Sequence, residues 1–141
     1  MSRQAVLTPA KAEIVVAAGI LSNAAGDVLI AQRPPGAHMA GWWEFPGGKL
    51  EGEESPVQAL VRELREELGI EVSTAEPLLA YSHEYPERIV HLHVLRVTSY
   101  QGKTTGLEGQ PLRWVPADQL MEAGLLPADR PIVEALHSDL P

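Results

Sequence analysis

Cysteine is absent from the 141 residues. That removes disulfides, thiolate zinc sites and thiol nucleophiles together, and it suits a reducing compartment such as the cytoplasm. Basic charge is scarce: 11 Lys and Arg stand against 19 Asp and Glu, a formal net charge of −8. Like-charge repulsion disfavours a nucleic-acid polymer or an anionic membrane surface as partner, but not a small polyanion bridged by a cation. Long apolar runs are also missing. Residues 14–21 (IVVAAGIL) have the length of a secretory core but cannot span a bilayer. Glu13 stands directly before them, and Gly26-Asp27 followed by Val28-Leu29-Ile30 reads as a hairpin returning, so a strand is expected. Repeats, low-complexity tracts and linkers are lacking too. The length and the 45% apolar content fit one domain over residues 1–141.

What is present alternates between strand and helix patterns. Residues 14–21 and 28–32 are expected strands joined by a turn at 23–27, and residues 33–40 (RPPGAHMA) a loop, because two prolines and a glycine prevent regular structure. Residues 41–48 (GWWEFPGG) carry aromatic side chains into a second turn; Trp42 and Trp43 either line a pocket or cap the core. A helix is signposted next. Ser55 is the expected N-cap, Pro56 takes the first helical position, Gln58 completes a capping box and Gly69 ends the helix. Val57, Leu60, Val61, Leu64 and Leu68 form its apolar stripe. Residues 72–85 and 89–100 are expected strands, 101–110 a loop, 112–115 a short strand, and 116–124 and 128–140 helices. Mixed strands with interspersed helices indicate an α+β layered domain.

The helix also carries Glu63, Glu66 and Glu67, away from the apolar stripe. A solvated acidic face is the ordinary explanation for such residues. Here Glu63 faces Glu66 and Glu67 across one turn, and each like-charge pair costs a few tenths of a kcal/mol. A hard divalent cation would relieve that repulsion, since Mg2+ takes oxygen ligands and is commonly shared with substrate phosphates. Arg62 can hold carboxylates by paired hydrogen bonds. Of His83, His91 and His93, the last two share a strand face but lack a spaced third ligand with motif support, which argues against a histidine site.

The spacing Gly48–x5–Glu54–x7–Arg62-Glu63-Leu64–x–Glu66-Glu67–x–Gly69-Ile70 resembles the Nudix box at every defined position. The chain is similar to Nudix hydrolases of the MutT type over nearly its whole length. Supporting segments are Arg33, Ala37-His38-Met39-Ala40, Glu44-Phe45-Pro46-Gly47-Gly48-Lys49, Tyr85-Pro86-Glu87-Arg88, Glu108-Gly109-Gln110-Pro111 and Pro127-Ala128-Asp129. The resemblance implies an α/β/α sandwich around a mixed β-sheet and a pyrophosphohydrolase that uses Mg2+ or Mn2+. Its substrate would be a nucleoside triphosphate, 8-oxo-dGTP first. A cytoplasmic monomer or small homo-oligomer is expected.

The same resemblance assigns roles. Glu63 and Glu67 would be metal ligands with Glu66 close by, and a backbone carbonyl of Gly47 or Gly48 would join them. Arg62 would orient the glutamates, and Glu108 would act near the metal as ligand or water-activating base. Glu67 or Glu63 is favoured as the proton acceptor, with Glu108 third. The nucleotide site would comprise Arg33, His38, Glu44, Phe45, Pro46, Gly47, Arg88 and Asp129. The last departs from the best-known pattern, which has asparagine there. An amide both donates and accepts, whereas an ionised carboxylate only accepts. Asp129 would serve 8-oxoguanine if protonated; ionised, it would suit the amino group of cytosine. Relatives acting on CTP or 5-methyl-dCTP share residues 58–70, His91-Leu92-His93 and Pro127-Ala128-Asp129, which keeps that alternative open. A Nudix-fold sensor without turnover is the alternative of another class. It would be expected to lose a box glutamate, and none is lost here.

Overall fold

A computed structural model describes residues 10–138. The elements run β1 (Ala12–Ile20), β2 (Asp27–Gln32), β3 (Trp43–Glu44), β4 (Gly47–Lys49), α1 (Pro56–Leu68), β5 (Glu71–Glu84), β6 (Arg88–Gln101), β7 (Leu112–Pro116) and α2 (Arg130–Ser138). One sheet has the order β4-β1-β6-β5 and the other β3-β2-β7. β1 pairs parallel with β6 and antiparallel with β4, so the larger sheet is mixed.

Alternation along the central strands sends side chains to two faces. Ala17, Leu21, Leu29 and Leu95 pack against Leu60, Leu64 and Leu68 of α1. Ala18, Ile20, Ile30 and Val94 pack against Ile132, Val133 and Leu136 of α2. The sheets therefore lie between two helices, as the expected α/β/α sandwich requires. Gly19 lets α1 approach β1 closely: a Cβ there would stand 3.1 Å from a Leu60 methyl. Leu64 is fully buried beside it, and truncation to alanine would cost about 2–5 kcal/mol.

The α1 caps follow the sequence reading. The Ser55 hydroxyl accepts from the Gln58 N–H at 3.2 Å and the Gln58 side chain accepts from the Ser55 N–H at 2.9 Å. Gly69 closes the helix at φ 70°. The two later helical segments are found, with 3-10 geometry in part. Residues 117–122 form a 3-10 helix rather than an α-helix, and a second 3-10 turn, Pro127–Asp129, precedes α2. Their N-cap positions, Pro116 and Leu126, offer no side-chain cap, and Gly124 at φ 84° stops the first. Positions 139 and 140 of the expected last helix lie outside the described residues. Among the described residues, no helix is long and apolar enough to cross a membrane.

Candidate active site

β4 is the edge strand against which the acidic face of α1 rests. Its register puts Gly48 opposite Ala17 and Gly47 opposite Ala18. Side chains are excluded at both glycines for different reasons. A Cβ on Gly47 would fall 2.0 Å from the Ala17 carbonyl oxygen, and the residue sits at φ 153°; a Cβ on Gly48 would fall 2.4 Å from the Glu63 carboxyl carbon. The strand thus presents bare backbone to Glu63 and Glu67. The Gly47 N–H donates to Glu67 Oε2 at 3.2 Å.

Arg62 organises the other side of the cluster. Its Nε and Nη2 donate to the two oxygens of Glu54 at 2.8 and 2.9 Å, Nη1 donates to Glu63 Oε1 at 2.9 Å, and Nη2 also reaches the Lys49 carbonyl at 2.9 Å. Glu66 Oε2 lies 3.5 Å from Nη1. The three glutamates on α1 are not equivalent. The Glu63 side chain is 16% exposed and that of Glu66 57%, so Glu66 stands toward water while Glu63 turns in to β4.

The electrostatics follow from this packing. Burial pushes the Glu67 carboxyl up to about 8, and the charges of Glu63, Glu108 and Glu44 add to it; the Gly47 N–H opposes them. Burial also raises Glu63, against the pull of Arg62. Glu54, its side chain 21% exposed, is lowered by its Arg62 hydrogen bonds. The cluster is thus a set of oxygen donors whose charges repel, the chemistry that fits a hard cation. Among the described residues, no three His, Asp or Glu side chains close on one point as a complete cage. An ion held here would keep waters or take substrate oxygens, as Mg2+ characteristically does. The loop bearing Glu108 is tied to α1: the Leu107 N–H and Gln110 Nε2 both donate to the Glu67 carbonyl, at 3.0 and 3.1 Å.

On the far side of β4, a cleft of about 330 Å3 opens on the α2 face of the sheet. Ile14, Val16, Val90 and Leu92 form its apolar wall, and Phe45 and Met39 add to it. Backbone bonds between Trp43 and residues 124 and 126 bring the turn Pro127–Asp129 beside Phe45. Asp129, 6% exposed, lies in the cleft lining. Burial pushes its carboxyl up to about 7 with help from Glu44, while a hydrogen bond from the Phe45 backbone and the charge of Arg33 pull it down. At the mouth, Arg33 bonds Glu44 and the His38 carbonyl, both at 2.6 Å. His38 meets the Tyr85 ring edge-on at 5.7 Å, and the Arg88 guanidinium lies 5.5 Å from that ring centre.

The structure thus gathers Arg33, His38, Glu44, Phe45, Gly47, Arg88 and Asp129 around one cleft. Pro46 is not among its lining; its carbonyl accepts from the Gly19 N–H at 2.8 Å. Trp42 is 41% exposed, whereas Trp43 packs on the core beneath Arg113; neither lines the cleft. Met39, Lys49 and Tyr85 line it without having been named as site residues. Met39 sits at φ 55°, a conformation that side chains seldom adopt, and no local sequence signal marks it. Tyr85 was signalled only by its neighbour Arg88 across the tight turn, where the Tyr85 N–H bonds the Arg88 carbonyl at 2.7 Å.

Comparison with known proteins agrees with this geometry. A NUDIX domain family model matches residues 17–135. The chain is 46% identical to a CTP pyrophosphohydrolase of Escherichia coli over 110 residues, 78% of this chain and 82% of that protein. It is 37% identical to the 8-oxo-dGTP diphosphatase of the same organism over 124 residues, 88% of this chain and 96% of the relative. The solution structure of the E. coli ORF135 protein superposes with a TM-score of 0.80 at 43% identity, covering 91% of each chain. On the box, the sandwich and these relatives together, the chain belongs to the Nudix hydrolases of the MutT type.

Proposed function

We propose that this pyrophosphohydrolase cleaves 8-oxo-dGTP to 8-oxo-dGMP and pyrophosphate with Mg2+, removing a damaged nucleotide from the cytoplasmic pool. The observation that carries the substrate reading is Asp129, a carboxyl buried in the cleft and held near the point of protonation at neutral pH. In its neutral form it offers one O–H donor beside an acceptor oxygen. The O6 and N7–H of 8-oxoguanine complement that pair. Guanine presents a lone pair at N7 instead, which faces the acceptor oxygen unfavourably. A neutral Asp129 therefore does what an asparagine would do at the same place. The match over residues 17–135 supports one domain across the chain.

The oxygen-rich cluster fits a divalent cation, with Glu63, Glu66, Glu67, Glu108 and a carbonyl of Gly47 or Gly48 as the residues that would hold it. When bound, the ion supplies charge neutralisation on the pyrophosphate and acidifies a water molecule. The chain's own residues do the rest. Arg62 keeps Glu63 and Glu54 in place. Glu67, gripped by the Gly47 N–H and ionised once a cation offsets its neighbours' charges, is the proton acceptor, with Glu63 second and Glu108 third. Arg33 and Arg88 stand at the cleft mouth, where they grip phosphate or sugar oxygens. Phe45 and Met39 cover the base and exclude water.

A second reading has its own support. Cytosine presents N3 as acceptor beside the N4 amino donor, which meets the same carboxyl pair, and the relative at 46% identity is named for CTP. Pyrophosphate release from 8-oxo-dGTP, dGTP, CTP and 5-methyl-dCTP separates the two. The first reading expects kcat/KM for 8-oxo-dGTP to lead by orders of magnitude. A lead for either cytosine nucleotide would overturn it and leave the hydrolytic chemistry standing.

A further inference from the structure

Tyr81 lies on β5 opposite Leu92 of β6 and is not part of the cleft lining. Its hydroxyl donates to the Ala128 carbonyl at 2.6 Å. The N–H of the same peptide unit, that of Asp129, donates to the Leu126 carbonyl at 2.9 Å. Both polar groups of the peptide plane preceding Asp129 are therefore engaged, one by the sheet and one within the turn. Rotation of that plane would swing the Asp129 Cα–Cβ bond and carry the carboxyl away from the base. Recognition by a paired donor and acceptor tolerates only about 10–20° of such error. Ala128 is 6% exposed, so water does not replace the phenol readily. Burial and the nearby Asp129 raise the Tyr81 hydroxyl above the ordinary tyrosine value, so it stays a donor through the working pH range.

We propose that Tyr81 is a positioning residue for base selection, fixing the Ala128–Asp129 peptide plane so that the Asp129 carboxyl meets the base edge. The inference rests on the reading of Asp129 given above. It assigns part of the selectivity to a side chain that never touches the nucleotide. The ring of Tyr81 packs on the α2-side core, and Tyr81→Phe keeps that packing while removing only the oxygen.

The test is calorimetric binding of 8-oxo-dGMP and dGMP, without metal, to the wild type, Tyr81→Phe, Asp129→Ala and the double variant, with thermal melts on the same samples. Loss of one buried hydrogen bond should weaken 8-oxo-dGMP about tenfold in Tyr81→Phe and leave dGMP unchanged. In turnover the KM for 8-oxo-dGTP should rise with kcat retained. In the Asp129→Ala background the added Tyr81→Phe should change nothing. Wild-type affinity in Tyr81→Phe, beside lost affinity in Asp129→Ala, would end the role of Tyr81 and keep that of Asp129. Wild-type affinity in Asp129→Ala would end both. An equal loss for 8-oxo-dGMP and dGMP in Tyr81→Phe would mean general loosening and overturn the proposal. Should Tyr81→Phe fail to fold, the Tyr81 hydroxyl proton resonance of the intact protein decides. It should move with 8-oxo-dGMP and stay with dGMP, and a stationary signal with both overturns the proposal.

Discussion

Replacing Glu67 by glutamine should make the metal-free protein more stable while stopping the reaction. The half-buried Glu67 carboxyl titrates at about 8 in the fold against an ordinary 4.5. The folded state thus binds its proton more tightly than the unfolded chain does. Stability is highest at acid pH and is lost as pH rises from 4.5 to 8. At pH 7 the full shift corresponds to about 3 kcal/mol, and water reaching the carboxylate lowers the expected penalty to about 1–2 kcal/mol. Glutamine cannot ionise, so it escapes the penalty, and its side-chain oxygen can still accept from the Gly47 N–H. Urea unfolding in EDTA from pH 5 to 8.5 measures this directly. The variant should gain most at pH 8.5 and least at pH 5. Saturating Mg2+ should narrow or reverse the gap, because only the wild type keeps the full carboxylate set. Turnover of the variant should fall by about two to four orders of magnitude. Equal wild-type and variant stability at every pH would refute the strained-carboxylate account, and near-normal turnover would remove Glu67 from the chemistry.

Three further outcomes are expected. The ratio of kcat/KM for 8-oxo-dGTP over dGTP should fall as pH rises through about 7, where Asp129 loses its donor proton; Asp129→Asn should flatten that profile, and an unchanged profile would show that the residue does not read the base. Gly48→Ala would place a methyl 2.4 Å from the Glu63 carboxyl carbon, so Mn2+ affinity measured by paramagnetic resonance should drop together with activity; intact affinity would remove Glu63 from the ligand set. Arg33→Ala should raise KM about tenfold with little change in kcat, as expected for loss of uniform binding. By freeing Glu44 it should also move the Asp129 transition to higher pH, and kinetics matching the wild type in both respects would take Arg33 out of the site.

The helix and its acidic cluster were legible because their signals are local. Ser55, Pro56, Gln58 and Gly69 mark the ends of α1 within a few residues of one another, and the box fixes Gly48 against Glu63 by chain spacing. The inequality of the glutamates was legible only through the family resemblance, which set Glu66 apart, and not from local pattern: Glu66 and Glu67 are neighbours in sequence, yet of the two only Glu67 is carried under β4. That difference arises from the packing of α1 on β1 and β4. The base side of the site was legible as a set of names but not as a shape. Asp129 could be read as a departure from asparagine, whereas its near-neutral titration depends on Glu44, Phe45 and Arg33, all distant in sequence. Tyr81 carried no signal, because its partner is a backbone carbonyl 47 positions away. The helical run beginning at 128 was legible, but not that its first turn, 127–129, is 3-10.

The three-residue strand β4 is a partition. The carboxylates of α1 rest on one side of it and the base cleft opens on the other, with Gly47 and Gly48 shared by both. Substitutions in residues 33–43, 81–90 and 126–130 can therefore alter which base is admitted while leaving the acidic cluster on α1 in place; Glu44 is the exception, because its charge helps raise Glu67. Drift in substrate range is cheap in this architecture and drift in chemistry is not, so paralogues that share the acidic helix should diverge first in the nucleotide they clear.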